Sequence, residues 1–358
     1  MNQPLIDSLT LESIELLKRM ISTPSVSRDE SAVADLLQSQ LSAWGLPVNR
    51  KGNNLWVREQ SCAAGRPVIL LNSHIDTVKP AAGYTRDPYT PTIEDGHLYG
   101  LGSNDAGGPL VSLLATYRYL TQTLPDRPYS LIFAASAEEE VSGRNGLESI
   151  LPELGNVDLA IVGEPTGMQP AVAEKGLMVL DCTAYGKSGH AARNEGINAI
   201  YQALPAIQWF QTHVFDRISQ FLGPVKMTVT QIEAGTQHNV IPDTCRFVVD
   251  VRVNELYRNT DLLSLIKKSV NVSVQERSTR LSSSAISVEH PIVQRSIALG
   301  LTPFGSPTMS DQALMPFTSI KIGPGQSARS HTADEFILID EIRQGIQTYI
   351  NLLADLNL

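Results

Sequence analysis

The stretch YSLIFAASAEEEVSG, residues 129–143, sets the terms on which the whole chain is read. Its opening, YSLIFAASA, is a short, continuously apolar run and reads as a buried strand. The run ends in three successive carboxylates, Glu138, Glu139 and Glu140. Like charges side by side at the edge of a core repel each other and lose hydration, so something must offset them.

The surrounding segments repeat the pattern. PVILLNSHID and VDLAIVGEP read as strands, and GGPLVSLLATYRYL reads as a helix. Runs that are apolar on both faces and separated by helices imply an α/β fold: a mixed, mainly parallel central sheet flanked by helices. In such sheets chemistry collects at the carboxyl ends of strands. Three of these strands end in acid or imidazole groups: His74 and Asp76, then the three glutamates, then Glu164. Two helices precede the first strand. In one, Leu11, Ile14, Leu17 and Met20 recur at helical spacing after the polar Ser8 and Thr10. The other, residues 31–44, puts Val33, Leu36, Leu37 and Leu41 on one face and stops at Gly45.

From about Ala173 the texture changes. LMVLDCTAYG, VKMTVTQIEAG and CRFVVDVRV read as strands, and the segments at 196–215 and 260–270 as helices. This β-α-β-β-α order suits a compact α+β unit of about a hundred residues. The tail then returns to a strand-like run, TSIKIGP, and a final helix. The simplest account is an insertion, with residues 1–172 and 281–358 forming one discontinuous domain and residues 173–280 another.

Composition narrows the function classes. The 358 residues are 42% apolar and 18% charged, with a formal net charge of −9. That balance belongs to a soluble globular protein, and the absence of any Lys/Arg cluster argues against a nucleic-acid partner. No apolar run approaches the roughly 20 residues of a membrane span, and the N-terminus lacks the pattern of a signal peptide. Cys62, Cys182 and Cys245 are scattered and odd in number. They read as buried thiols in a reducing compartment, and a cytoplasmic location is expected.

The chemistry-bearing residues fall in five places. His74 and Asp76, two apart at a strand end, suit a metal ligand with an acid behind it. Asp105 lies in the glycine-rich turn YGLGSNDAGG before a helix. A dinucleotide fingerprint there fails, because Asp105 stands where the third glycine should be. The glutamate run, Glu164 in VGEPTG, and His331 in RSHTADE complete the set. Carboxylates crowd in this way when a cation neutralises them. Nitrogen and oxygen donors without thiolate suit Zn²⁺, with Co²⁺ or Mn²⁺ as alternatives. Two ions sharing a bridging carboxylate need about five ligands and a base, close to what is available.

HIDTV, GSNDAGG, AEEEV, VGEPT, EKG, GKSGHAARNEGINA, HNVIPD and SHTADE occur in the order found in the co-catalytic zinc amidohydrolases. Over nearly its whole length the chain resembles that family of acetylornithine deacetylases, succinyl-diaminopimelate desuccinylases, aminoacylases and carboxypeptidase G. It is most similar to the acetylornithine deacetylases, through IVGEPT, EKG and GKSGH. The resemblance implies a zinc-exopeptidase-like catalytic domain interrupted by a ferredoxin-like lid that also forms a homodimer interface. Carried over by position, His74 and Glu164 bind one metal, Asp105 bridges, and one of the glutamates binds the other metal with His331. Asp76 orients His74. The family pattern after the strand is Asp-Glu-Glu, which puts Glu138 at the aspartate, Glu139 at the catalytic base and Glu140 at the ligand. A slip of one would make Glu138 the base.

In the lid, His190 matches a histidine that stabilises the oxyanion in the partner subunit's site. Asn239 and Arg252 match positions that hold the substrate carboxylate and backbone. Two departures stand out: Ala106-Gly107-Gly108 replaces the usual Met-Lys-Gly, and Arg193-Asn194-Glu195 replaces a proline-containing turn. The activity implied is hydrolysis of an N-acyl-L-amino acid, first of all N-acetyl-L-ornithine in arginine biosynthesis. N-succinyl-ornithine, N-acyl-citrulline and other N-acyl-amino acids remain open, as do a di- or carboxypeptidase and an inactive metal-binding relative.

Overall fold

A computed structural model describes residues 2–59, 65–193 and 195–358. Cys62 and Asn194 lie outside the described residues. The chain divides into two compact units: Met1–Val172 with Ile286–Phe304 and Ser310–Leu358, and Ala173–Ala285 with Gly305–Met309. Residues 281–285 join the second unit because Ser284 and Ala285 pair with Glu174 and Ala173, and Leu281 bridges to Leu177.

In the first unit the strand Ser130–Ser136 is buried along its whole length. It pairs in parallel with Val68–His74, which pairs in parallel with Leu159–Val162, itself parallel to Ser319–Lys321. Antiparallel strands Asn54–Arg58 and Val48–Lys51 extend one side. Side-chain alternation divides the apolar residues between two faces. Leu70, Ile132 and Ala134 pack with Trp56 against the helix Leu147–Leu154. On the other side the helices Gln3–Ile21, Gly108–Thr123 and Ile339–Leu353 pack on one another, and Gly108–Thr123 lies on the sheet, where Tyr117 meets Phe133.

The register decides where the site falls. His74 lies beside Ser136, and Asn72 beside Val162. Two residues beyond Ser136 and Val162 come Glu138 and Glu164, so imidazole and carboxylates emerge at one level of one sheet edge. A separate three-stranded sheet, Thr92–Glu94, His97–Tyr99 and Phe336–Leu338, sets Phe336 opposite Tyr99.

The first helix spans Gln3–Ile21. Asn2 caps it, accepting from the Leu5 N–H, and Pro4 occupies the first turn. Its buried face is Ile6, Leu9, Ile14, Leu17 and Met20, whereas Leu11 is 65% exposed. Ser8 and Thr10 both lie within the helix, Ser8 exposed and Thr10 buried, and the Thr10 hydroxyl donates back to the Ile6 carbonyl at 2.8 Å. No described helix is long and apolar enough to cross a membrane.

The second unit has the chain order β-α-β-β-α-β. Across its antiparallel sheet the strands run Lys226–Ala234, Thr244–Val253, Gly176–Tyr185 and Ser273–Glu276, the ferredoxin-like arrangement. Every second residue of Gly176–Tyr185 is buried. Met178, Leu180, Phe247 and Val249 meet Phe210 of the helix Ala199–Thr212 and Leu262 and Ile266 of the helix Asn259–Ser269 in one core. Cys182 and Cys245 are buried free thiols here, and burial pushes the Cys182 thiol up to about 12.

Candidate metal centre

His74 is the last residue of its strand and is almost fully buried. Its Nδ1 sits 2.9 Å from the Asp76 carbonyl oxygen and 3.5 Å from the Asp76 carboxylate. Its Nε2 faces three carboxylates: Asp105 at 3.2 Å, Glu164 at 3.7 Å and Glu139 at 3.9 Å. Burial lowers the proton affinity of the ring. The bonds to Asp105 and Asp76 and the charges of Glu139 and Glu164 outweigh it, so the ring stays well above the usual histidine range.

The Asp76 carboxylate does more than face His74. It accepts the Glu139 N–H at 3.0 Å, the Glu140 N–H at 3.2 Å and the Ser27 hydroxyl at 2.7 Å. Burial pushes this carboxyl up, and the bonds to His74, Ser27 and Glu139 bring it below its ordinary range. Asp76 therefore anchors the glutamate turn to the histidine strand.

That turn is tightly folded. Glu138 has φ 54°, residues 139–141 form one 3₁₀ turn, and Ser142 has φ 46°. The backbone reversal sends the three acids in different directions. Glu138 turns away from the cluster, where its carboxylate accepts from Asn145 Nδ2 at 3.0 Å. A Cβ on Gly143 would overlap Glu138 Oε2. Glu139 faces His74, and Glu140 lies 3.0 Å from His331 Nε2.

Asp105 sits in an irregular turn over Ser103–Gly107, and its peptide bond to Ala106 is cis. Gly102 enters the turn at φ 75°, where a Cβ would lie 2.6 Å from Thr77 Cγ2, so the close approach needs glycine. Asp105 Oδ1 faces His74 and its Oδ2 lies 3.6 Å from His331. Ligand atoms of His74, Asp105 and Glu164 lie within 4.8 Å of one another, and so do those of Asp105, Glu140 and His331. Among the described residues these are the two groups that gather three metal-donor side chains, and they share Asp105.

The electrostatics fit divalent cations. Burial, then the charges of Glu164, Asp311 and Glu140, hold Glu139 well above the carboxylate range despite His74. Burial also pushes Glu164 up to about 8, with Asp105 and Glu140 adding to the rise while His74 and Lys321 oppose it. The bond to Glu140 raises His331 to about 9. Cations among these oxygens would remove the need for carboxyl protons.

Two buried acids in the site have no counterpart in the sequence reading. Glu30 is fully buried; its carboxylate accepts from the N–H groups of Arg28 at 2.6 Å and Glu138 at 3.2 Å and from Asn53 Nδ2 at 2.9 Å. Glu335 is also buried and receives backbone N–H groups from the Asp105 turn. Burial pushes it up to about 7. Glu335 stands in the same SHTADE motif as His331, four residues on, which was the available signal. Glu30, next to a helix start, looks like an ordinary helix-terminal acid.

His190, Asn239 and Arg252 belong to the second unit. His190 is exposed on a two-stranded ladder, Gly189–His190 with Val240–Ile241, and its Nδ1 accepts from the Ala192 N–H at 3.2 Å. Asn239 is exposed beside it, its carbonyl accepting from the Ala191 N–H at 3.0 Å. Arg252 pairs with Asp250 through bonds of 2.8 and 3.1 Å and stands opposite Lys226 in the strand register. Lys175 is held below its ordinary range, first by burial and then by the charges of Lys226 and Arg252. The charges of Lys226 and Arg252 are thus felt at Lys175, while Arg252 itself is paired with Asp250.

Comparison with known proteins supplies the context. The family described as Peptidase family M20/M25/M40 matches residues 70–355. Among curated relatives, a succinyl-diaminopimelate desuccinylase of Paracidovorax citrulli (strain AAC00-1) is 28% identical over 252 residues, 64% of this chain and 65% of that one. The chain thus spans just under two thirds of that relative's length. Among solved structures, the aminopeptidase PepT of Bacillus cereus ATCC 10987 has a TM-score of 0.78 at 17% identity, covering 97% of this chain and 98% of that one. The YxeP protein of Bacillus subtilis, described as a dinuclear metal binding peptidase from the M20 family, has a TM-score of 0.73 at 17% identity. It covers 97% of this chain and 98% of that one. These likenesses show the fold.

Proposed function

The chain belongs to peptidase family M20/M25/M40, and from that premise we propose that it is a two-metal amidohydrolase cleaving the amide bond of an N-acyl-L-amino acid. The observation that carries this reading is the pair of donor groups sharing Asp105, with Glu139 beside them and in neither. In this reading His74, Asp105 and Glu164 hold one ion, and Asp105, Glu140 and His331 the other. Zn²⁺ suits the donor set, with Co²⁺ or Mn²⁺ as substitutes. When bound, such ions polarise the scissile carbonyl and acidify water toward a pKa of about 7.

The chain's own residues handle the proton. Glu139 takes it from the attacking water and delivers it to the leaving amine, a role that suits a carboxylate facing the donor groups and belonging to neither. Asp76 holds Glu139 and Glu140 through their backbone N–H groups and keeps the turn fixed against His74. His190 of the partner subunit stabilises the oxyanion, an assignment that rests on the family resemblance. Homodimerisation through the second unit is supported by the exposed Tyr201 and Leu204 on one helix and Ile232 on an edge strand. A cytoplasmic location is proposed with it.

For the substrate, the motif resemblance favours N-acetyl-L-ornithine, with Asn239 and Arg252 on the substrate's carboxylate and backbone. A second reading, an N-succinyl-amino acid, is supported by the desuccinylase relatives. A panel of N-acetyl and N-succinyl amino acids, assayed after loading with Zn²⁺, Co²⁺ or Mn²⁺, tests both. Hydrolysis of the N-succinyl in preference to the N-acetyl substrates would select the second reading. No hydrolysis under any ion would overturn the deacylase function.

A further inference from the structure

Asp105 belongs to both donor groups, so its position sets the spacing of the whole centre. Yet it sits in a turn with few backbone bonds of its own. The N–H groups of Gly102, Asn104 and Asp105 all donate to one buried carboxylate, that of Glu335, at 3.1, 2.9 and 2.9 Å. The Glu335 carbonyl also accepts the Gly100 N–H at 3.0 Å. This placement is built into the small sheet, where Phe336 stands opposite Tyr99 and brings Glu335 level with the start of the turn. Four residues earlier comes His331. One side chain thus fastens the segment bearing His331 to the turn bearing Asp105, across 230 positions of sequence. Asn104 adds a second tie, donating to the Gln326 carbonyl at 3.1 Å and accepting the Gln326 N–H at 2.9 Å.

We infer that Glu335 is a positioning residue for the ion held by Asp105, Glu140 and His331, and that it governs the affinity of that ion more strongly than that of the other. The inference rests on the two-metal reading. The other ion would keep His74 and Glu164, on strand ends that Glu335 does not touch, and would feel a displaced turn through Asp105 alone. Only a carboxylate fits its role, because both oxygens must accept. In Glu335→Gln one oxygen becomes an amide NH₂, which meets an N–H head-on and pushes the turn away. Removing such a supporting partner typically weakens metal binding by about 10- to 100-fold.

Calorimetric titration of Zn²⁺ into the metal-free full-length protein, with metal analysis, tests the idea. Wild type should take two ions. Glu335→Gln should bind the ion shared by Asp105, Glu140 and His331 about tenfold or more weaker, and the other ion, which keeps His74 and Glu164 in place, by a clearly smaller factor. Its kcat should recover with added Zn²⁺ while KM stays near wild type. Asp334→Asn is the matched control: Asp334 accepts the N–H groups of Thr85 and Arg86 at 2.9 and 3.0 Å on a loop that carries no ligand. It should lower Tm and leave both ions bound as in wild type. If Glu335→Gln fails to fold, Glu335→Asp carries the test, with the same unequal weakening expected. Equal loss of both ions, or loss of neither, overturns the inference while leaving the two-metal reading intact. Wild type that takes fewer than two ions overturns that reading and this inference with it.

Discussion

His74 and His331 both aim an imidazole at Asp105, one from the end of a parallel strand and the other from a turn at φ 59°. The His74 side chain is 1% exposed and that of His331 is 55% exposed. The strand-end group inherits its geometry from sheet register, which hydrogen bonds and a packed core fix anyway. The turn group has no such ladder. Glu138, Ser142, His331 and Asp334 all adopt positive φ, which side-chain-bearing residues hold only when the surroundings insist. Those surroundings are buried acids: Asp76 and Glu30 under the glutamates, Glu335 under Asp105. One half of the centre is a by-product of the fold, and the other is maintained by dedicated carboxylates.

Metal removal should have the largest effect. A chelator should abolish hydrolysis, and stepwise dilution of metal should empty the exposed turn group before the buried strand-end group. Metal content measured alongside activity would read this order. Loss of both ions in one step would erase the distinction between the halves.

Glu139→Ala should lower kcat by about 10²- to 10⁴-fold, the usual contribution of a general base, with both ions retained. Loss of metal in Glu139→Ala, with retention in Glu140→Ala, would reverse the roles assigned to the two glutamates. Glu30→Ala probes the support for the turn. It leaves buried donors on Arg28, Glu138 and Asn53 without their acceptor. Unfolding measurements should show a loss of about 1–3 kcal/mol, and kcat should fall by about 10- to 100-fold through misplaced acids. Lost stability with unchanged kcat would mean that Glu30 serves the fold alone.

The smallest effect expected is on pH dependence. In the metal-free protein Glu164 titrates near about 8 and Glu335 near about 7, both above the ordinary 4.5, and His331 near about 9, above the ordinary 6.5. Between 4.5 and about 8 the native carboxyls hold protons that the unfolded chain releases. That contribution to stability is complete at acid pH and lost as pH rises through the window. Tm of the metal-free protein should therefore drop by several degrees from about pH 5 to about pH 8. With ions bound the trend should reverse, since ligands must deprotonate to bind. A metal-free Tm that rises with pH would contradict the crowding of these acids.

The strand-end half was the legible half. Apolar runs ending in His74, Glu138 and Glu164 announce themselves, because strand burial and terminal charge are both local signals. The ferredoxin-like order of the second unit was readable for the same reason. The supporting acids were not, since Glu30 and Glu335 act through contacts 108 and 230 residues away. Glu335 had only its place in SHTADE, four residues after His331, to mark it, and nothing near Glu30 distinguishes a buried acceptor from a solvated acid. Leu11 shares the helical spacing of Ile14, Leu17 and Met20 but falls outside the buried face, because spacing alone does not fix where an apolar stripe ends. Asn194 falls outside the described residues, so the departure at Arg193-Asn194-Glu195 has no structural account.

Glu138 fills the space above Gly143, where a Cβ would overlap its carboxylate. The same Cβ would lie 2.5 Å from Glu138 Cβ, so shortening residue 138 to aspartate or alanine would not open the space. Glycine at 143 is thus the condition for any side chain at 138 to turn away from the metal donors, and a sequence library that varies both positions should return glycine at 143 whatever stands at 138.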